Sequence, residues 1–148
     1  MHIYESRHFN ILTPELPHVS RGDGGHLIIN PKAVVEDRTH LDGERAIELM
    51  KLTMVAGAAM KTVLTQRGIE IGRINYQDNG NWRHELHVHL YGRARGATLQ
   101  TYGHFLKLPP TAHAFKVEPP LVPLTADDVA AIKVEIERLL ATEKYQAF

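Results

Sequence analysis

The chain has 148 residues, a length that fits one domain able to bury most of a hydrophobic core. Its 17 Lys and Arg balance 17 Asp and Glu, so a global electrostatic grip on nucleic acid or an anionic membrane is not indicated, although a local anion site stays open. With no cysteine, disulfides, thiolate nucleophiles and thiolate metal sites are all excluded.

The opening residues, Met1-His2-Ile3-Tyr4-Glu5-Ser6-Arg7, lack the apolar core of a signal peptide, and no apolar run approaches membrane-spanning length. A soluble cytoplasmic protein is the expectation. His2 to Leu12 predicts a strand or two, with Ile3, Phe9, Ile11 and Leu12 supplying apolar contacts; Pro14 and Pro17 then break regular structure. Arg21-Gly22-Asp23-Gly24-Gly25 reads as a glycine-rich turn. It leads into His26-Leu27-Ile28-Ile29-Asn30-Pro31-Lys32, a nearly continuous apolar run that predicts a central strand ended by Pro31. A histidine opening a buried strand is ordinarily a satisfied structural group.

From Asp42 the period becomes helical, with Ala46, Leu49, Met50, Thr53, Gly57, Met60 and Leu64 on one stripe. Asp42 suits an N-cap, and Gly68 stands where a terminating glycine is expected. The methionines read as core filler, and the small residues Ala56, Gly57, Ala58 and Ala59 would let the helix lie close to a sheet. Ile69 to Ile74 predicts a short strand. Asn75 to Trp82 follows, rich in turn formers and side-chain amides. It reads either as a plain hairpin turn or as a loop of amide donors suited to phosphate oxygens. Trp82, the only tryptophan, would wall such a pocket or plug the core.

The stretch that carries chemistry is His84-Glu85-Leu86-His87-Val88-His89-Leu90-Tyr91. As a strand it sends Leu86, Val88 and Leu90 to one face and Glu85, His87, His89 and Tyr91 to the other, same-face neighbours being roughly 6.6–7 Å apart. A helix would scatter the two imidazoles. Such a pair can supply a nucleophile beside a group that holds the phosphate, or half of a zinc or iron site, or simply a solvated polar face. The octapeptide alone leaves all three readings open.

Gly92-Arg93-Ala94-Arg95-Gly96 follows, its arginines either directed at phosphate or solvated. A strand is conceivable around His104-Phe105-Leu106, and Pro109-Pro110, Pro119-Pro120 and Pro123 mark an irregular connector. The last element is a helix capped by Thr125, with Asp127 and Asp128 at its positive end, Leu124 stapled to Val129, and the stripe Val129, Ile132, Ile136, Leu139, Leu140.

Together these segments resemble the histidine triad family of nucleotide hydrolases and transferases. Its signature is His-φ-His-φ-His-φ-φ, with φ apolar, preceded by a strand Gly-His-φ-φ-φ-x-Pro-Lys. Gly25-His26-Leu27-Ile28-Ile29-Asn30-Pro31-Lys32 supplies the second pattern, and His87 and His89 take the middle and third positions of the first. Glu85 stands where the first histidine belongs. The resemblance covers roughly residues 3 to 95. It implies an α+β, histidine-triad-like fold with an antiparallel sheet of about five strands and two main helices. The chain is then a single domain over residues 1–148, with a C-terminal extension from Gly96.

The resemblance also implies roles. His87 attacks the α-phosphate of a nucleotide conjugate of the dinucleoside polyphosphate or nucleoside phosphoramidate type, His89 holds the phosphate and leaving group, and His26 supports them from the neighbouring strand. Asn75 and Asn81, with Trp82 beside them, fall where the family contacts ribose or phosphate. The family's ribose-binding acid or amide has no clean counterpart, its neighbourhood offering His18, Ser20 and Arg21. No cofactor is called for, the nucleotide is the partner, and a homodimer is implied. A backbone carbonyl is the expected acceptor that fixes the His87 tautomer. Two other classes compete. One is a metal-dependent hydrolase using His87 and His89 with His26 or His104; the other is a nucleotide-binding module with little turnover, motivated by Glu85.

Overall fold

The apolar residues of the N-terminal segment alternate between core and surface, and the segment folds back on itself as a hairpin of β1 (His2–Glu5) and β2 (Phe9–Leu12), with Ile3, Phe9 and Ile11 buried. The computed structural model describes residues 1–78, 80–108 and 120–148. Beyond the hairpin lie β3 (His26–Pro31), β4 (Ile71–Gln77) and β5 (Val88–Ala94). All five strands join one antiparallel sheet in the order β1-β2-β3-β5-β4, which makes β3 and β5 central neighbours. Among the described residues three α-helices complete an α+β fold: α1 (Gly43–Gln66), α2 (Ala126–Leu140) and the short α3 (Glu143–Gln146).

α1 begins where its cap is encoded, the Asp42 carboxylate accepting the Arg45 N–H at 2.8 Å, and Gly68, with φ of 83°, turns the chain out of it. Its buried stripe is Leu49, Leu52, Val55, Ala56, Gly57, Ala59, Met60, Val63 and Leu64, which takes in Leu49, Gly57, Met60 and Leu64 of the predicted stripe but not Ala46, Met50 or Thr53. Met50 is exposed and Ala46 with it. The middle of this helix is apolar nearly all round, so the sequence period does not single out one face. α2 packs on α1 and β1. It starts at a reciprocal capping box between Thr125 and Asp128, and the Asp128 carboxylate also takes Arg21 Nε at 2.6 Å and Arg67 Nη1 at 2.7 Å, tying the helix to two distant segments.

Two local expectations shift. β4 runs on through Asn75, Tyr76 and Gln77, which pair with Tyr91, Leu90 and His89, so cross-strand pairing overrides their turn propensity. His104-Phe105-Leu106 forms no strand. The heart of the connector, residues 109–119, lies outside the described residues.

The core lies between the sheet and α1, with Leu27 and Leu90 paired across β3 and β5 and fully buried. Truncating either to Ala would cost about 2–5 kcal/mol. The opposite face of β5 carries the histidines. On the α1 side of the sheet the turn before β3 comes so close to β5 that a Cβ on Gly92 would lie 1.9 Å from the Gly24 carbonyl oxygen. Only glycine allows that approach. Among the described residues no helix is long and apolar enough to cross a membrane.

Candidate active site

Alternation along β5 sends His89, Tyr91 and Arg93 to the face away from α1. β5 starts only at Val88, so His87 sits at the strand's entrance, where Leu86 is pinned by its N–H to the Val35 carbonyl. The strict alternation predicted over residues 84–91 therefore breaks before Glu85. Its carboxylate is exposed beside Arg83, 3.3 Å away, while its backbone carbonyl takes the Nδ1–H of His87 at 2.7 Å. With Nδ1 carrying the proton, the lone pair of His87 lies on Nε2.

The other imidazoles form a connected chain. The His18 backbone N–H donates to His26 Nδ1 at 3.2 Å, so His26 holds its proton on Nε2. That Nε2–H donates to His89 Nδ1 at 2.8 Å, which leaves the proton of His89 on its Nε2. One nitrogen with a lone pair and one with a proton are thus presented by adjacent rings. The rings of His87 and His89 are 4.7 Å apart, nearly perpendicular at 83°. The His18 side chain joins the cluster, its ring 5.1 Å from that of His89 and its Nδ1 2.7 Å from the Tyr91 hydroxyl.

Burial keeps the His18, His26 and His89 rings neutral. It pushes the His89 pKa down to about 3 and that of His18 to about 4, with the nearby His87 adding to both effects. The fully enclosed His26 is lowered well below the ordinary imidazole range, by burial first and then by His18, His89 and His87. The Tyr91 phenol is raised by burial and keeps its proton, so it can donate to His18.

The cavity over these rings, about 250 Å³, is walled by His18, His87, His89 and Tyr91, and on the outer side by Asn81, Trp82 and Leu108. Of the residues singled out by sequence, Asn81 and Trp82 are therefore at the histidines. Trp82 meets His18 edge-on, ring centres 6.3 Å apart. Asn75 is not in that cavity: it pairs with Tyr91 in register, and its Oδ1 accepts from Arg93 Nη1 at 3.0 Å in the next cleft. His104 lies in that cleft too, apart from the imidazole cluster. His18 is the residue whose place in the cluster sequence reasoning missed. It follows Pro17 in an irregular segment with no periodicity, and its N–H on His26 Nδ1 and its Nδ1 at the Tyr91 hydroxyl hold it at the cluster.

His18, His26 and His89 bring one ligand-capable nitrogen each within 4.8 Å of one another, the spacing of a three-histidine metal site. The wiring opposes it. A metal on His26 Nε2 would move the proton to Nδ1, where it would face the His18 N–H, donor against donor. The donor set fits a proton-ordered hydrogen-bond chain better than a metal.

The model of the HIT domain matches residues 3–96. The chain belongs to the HIT family. Solved HIT structures share its fold: a histidine triad protein from Marinobacter aquaeolei VT8 is 19% identical with a TM-score of 0.63, covering 95% of this chain and 88% of that one. One from Bradyrhizobium japonicum is 17% identical with a TM-score of 0.62, covering 93% and 88%. A uridylyltransferase is similar over 93% of this chain but only 41% of its own, at 17% identity and a TM-score of 0.53. No curated protein sequence matches this HIT chain significantly. Membership of the family supports nucleotide hydrolase or transferase chemistry in general terms.

Proposed function

We propose that this HIT protein is a nucleotidyl hydrolase or transferase that works through a covalent nucleotidyl-histidine at His87. The observation that carries the reading is the His87 Nδ1–H bond to the Glu85 carbonyl, which leaves a lone pair on Nε2 beside the protonated Nε2 of His89. His87 Nε2 attacks the α-phosphorus of a nucleotide conjugate, a P–N bond forms, and the bond from phosphorus to the leaving group breaks. His89 Nε2–H donates to an oxygen of the reacting phosphate or to the departing atom, where negative charge grows. Water or another acceptor then attacks the same phosphorus, breaks the P–N bond and restores His87. Asn81 and Trp82, at the mouth of the cavity, bind the nucleotide, and Asn75 extends the polar surface along β4.

Intact-mass measurement after a rapid denaturing quench, using a dinucleoside polyphosphate and a nucleoside phosphoramidate, tests the reading. A nucleotidyl adduct mapping to His87 is expected, absent in His87→Ala. In His89→Ala it should form about 100- to 1000-fold more slowly, as for loss of one donor to the developing charge. An adduct that persists on this segment in His87→Ala would overturn the assignment. Complete, metal-reversible loss of turnover in excess chelator would favour the metal-dependent alternative.

A further inference from the structure

The face that carries His89 and Tyr91 continues along β5 to Arg93 and across to Gln77, Asn75 and Arg73 on β4. Arg73 stands directly opposite Arg93 in the register. Like charges opposed on antiparallel strands destabilise a sheet. Neither arginine has a carboxylate partner among the described residues; the nearby Glu70 pairs with Arg95 instead. Arg93 is 5% exposed, and among the described residues its guanidinium is met only by neutral acceptors: Asn75 Oδ1 at 3.0 Å and the carbonyls of Gln100, Thr101 and His104 at 3.3, 3.0 and 2.9 Å. Its Nε is buried with no hydrogen-bond partner among the described residues. A buried guanidinium with no carboxylate in ion-pair contact is costly, the buried Asp23 carboxylate being taken up by backbone N–H groups, so this one favours an anion.

A cleft of about 560 Å³ opens beside the pair, between β4 and residues 102–106, lined by Arg73, Asn75, Gln77, Arg93 and His104. Its outer wall is built. The buried Asp23 carboxylate accepts the N–H groups of Thr98, Leu99 and Gln100, and the Gln100 side chain bonds the Lys107 backbone in both directions. Tyr102 lies flat on β4 where Gly72 leaves room, since a Cβ there would sit 2.5 Å from its ring. This cleft is distinct from the histidine cavity but shares its sheet face, Arg93 being four residues, roughly 13 Å, beyond His89.

We propose that this cleft is an anion subsite that holds the far phosphates of an extended polyphosphate leaving group, and so selects substrates of the dinucleoside polyphosphate type over phosphoramidates of neutral amines. The assignment to the leaving group rests on the nucleotidyl-transfer reading; anion binding by the cleft does not.

Arg73 is exposed, so its replacement leaves the core intact. Inorganic tripolyphosphate is titrated calorimetrically into the wild type, Arg73→Gln and Arg73→Glu, with amide shifts mapped in parallel. The wild type should bind with shifts at Arg73, Asn75 and Thr101, about tenfold more weakly in Arg73→Gln and more weakly still in Arg73→Glu. The ratio of kcat/KM for a dinucleoside tetraphosphate over a neutral-amine nucleoside phosphoramidate should fall about tenfold in Arg73→Gln, through KM. Equal binding by all three proteins, no binding, or shifts confined to the histidine cavity would overturn the subsite. Weakened binding with an unchanged kcat/KM ratio, or equal losses on both substrates, would overturn its assignment to the leaving group. If no substrate turns over, the nucleotidyl-transfer reading fails and the leaving-group assignment with it, while the titration still decides the anion site.

Discussion

His26 Nε2 lies 2.8 Å from His89 Nδ1, a hydrogen bond that spans the two central strands and fixes which nitrogen of His89 faces the cavity. The proton order is set upstream, by the His18 N–H on His26 Nδ1. In the proposed reaction His26 would be a positioning residue that acts through His89.

His26→Ala should release the His89 tautomer. Loss of one buried hydrogen bond is worth about 1–3 kcal/mol, so kcat should fall by a factor on the order of ten to a hundred with little change in KM. Imidazole nitrogen shifts should show His89 passing from one tautomer to a mixture. A normal rate with a mixed tautomer would remove His26 from the mechanism.

Glu85 supplies His87 with a carbonyl, and its carboxylate faces solvent. Glu85→Gln and Glu85→His should both leave kcat/KM within about tenfold of the wild type, since exposed ion pairs contribute little. A loss comparable to that of His87→Ala would show that the carboxylate takes part in the reaction.

Stability should depend on pH through the buried imidazoles. Their folded pKa values, about 4 for His18 and about 3 for His89, lie below the unfolded value near 6.5. As pH falls below about 6.5 the unfolded chain takes up protons that the folded chain refuses, so this contribution is whole above that pH and is lost as pH falls toward 4 and 3. Urea unfolding between about pH 5 and 6.5, above the range where ordinary carboxylates titrate, should show stability rising with pH. His89→Gln should flatten the slope; an unchanged slope would mean that His89 is not buried neutral.

Asp128 is fully buried and accepts from Arg21, Arg67 and Thr125. Asp128→Asn should leave both arginines short of a counter-charge and cost about 2–3 kcal/mol, allowing for the solvent that reaches their side chains. Denaturant melts of Asp128→Asn and of Thr125→Ala, which removes only the cap at about 1 kcal/mol, would separate the ion pairs from the capping box.

Features that depend on near neighbours were readable from the residues alone. The Asp42 cap, the Thr125–Asp128 box and the capped starts of α1 and α2 rest on hydrogen bonds within three residues. The His87 and His89 pair and the His26 strand are local patterns too, because one-residue alternation and a proline-ended apolar run need no partner to be recognised. What the chain could not state locally is what lies across a strand or beneath a loop. The buried stripe of α1, the extension of β4 through Gln77, the pairing of Asn75 with Arg93 and the arrival of His18 beside His89 were decided by tertiary structure. Each depends on register and close approach between segments far apart in sequence. The hydrogen bond from the His18 N–H to His26 Nδ1 forms only once the irregular segment before β3 has folded back onto that strand.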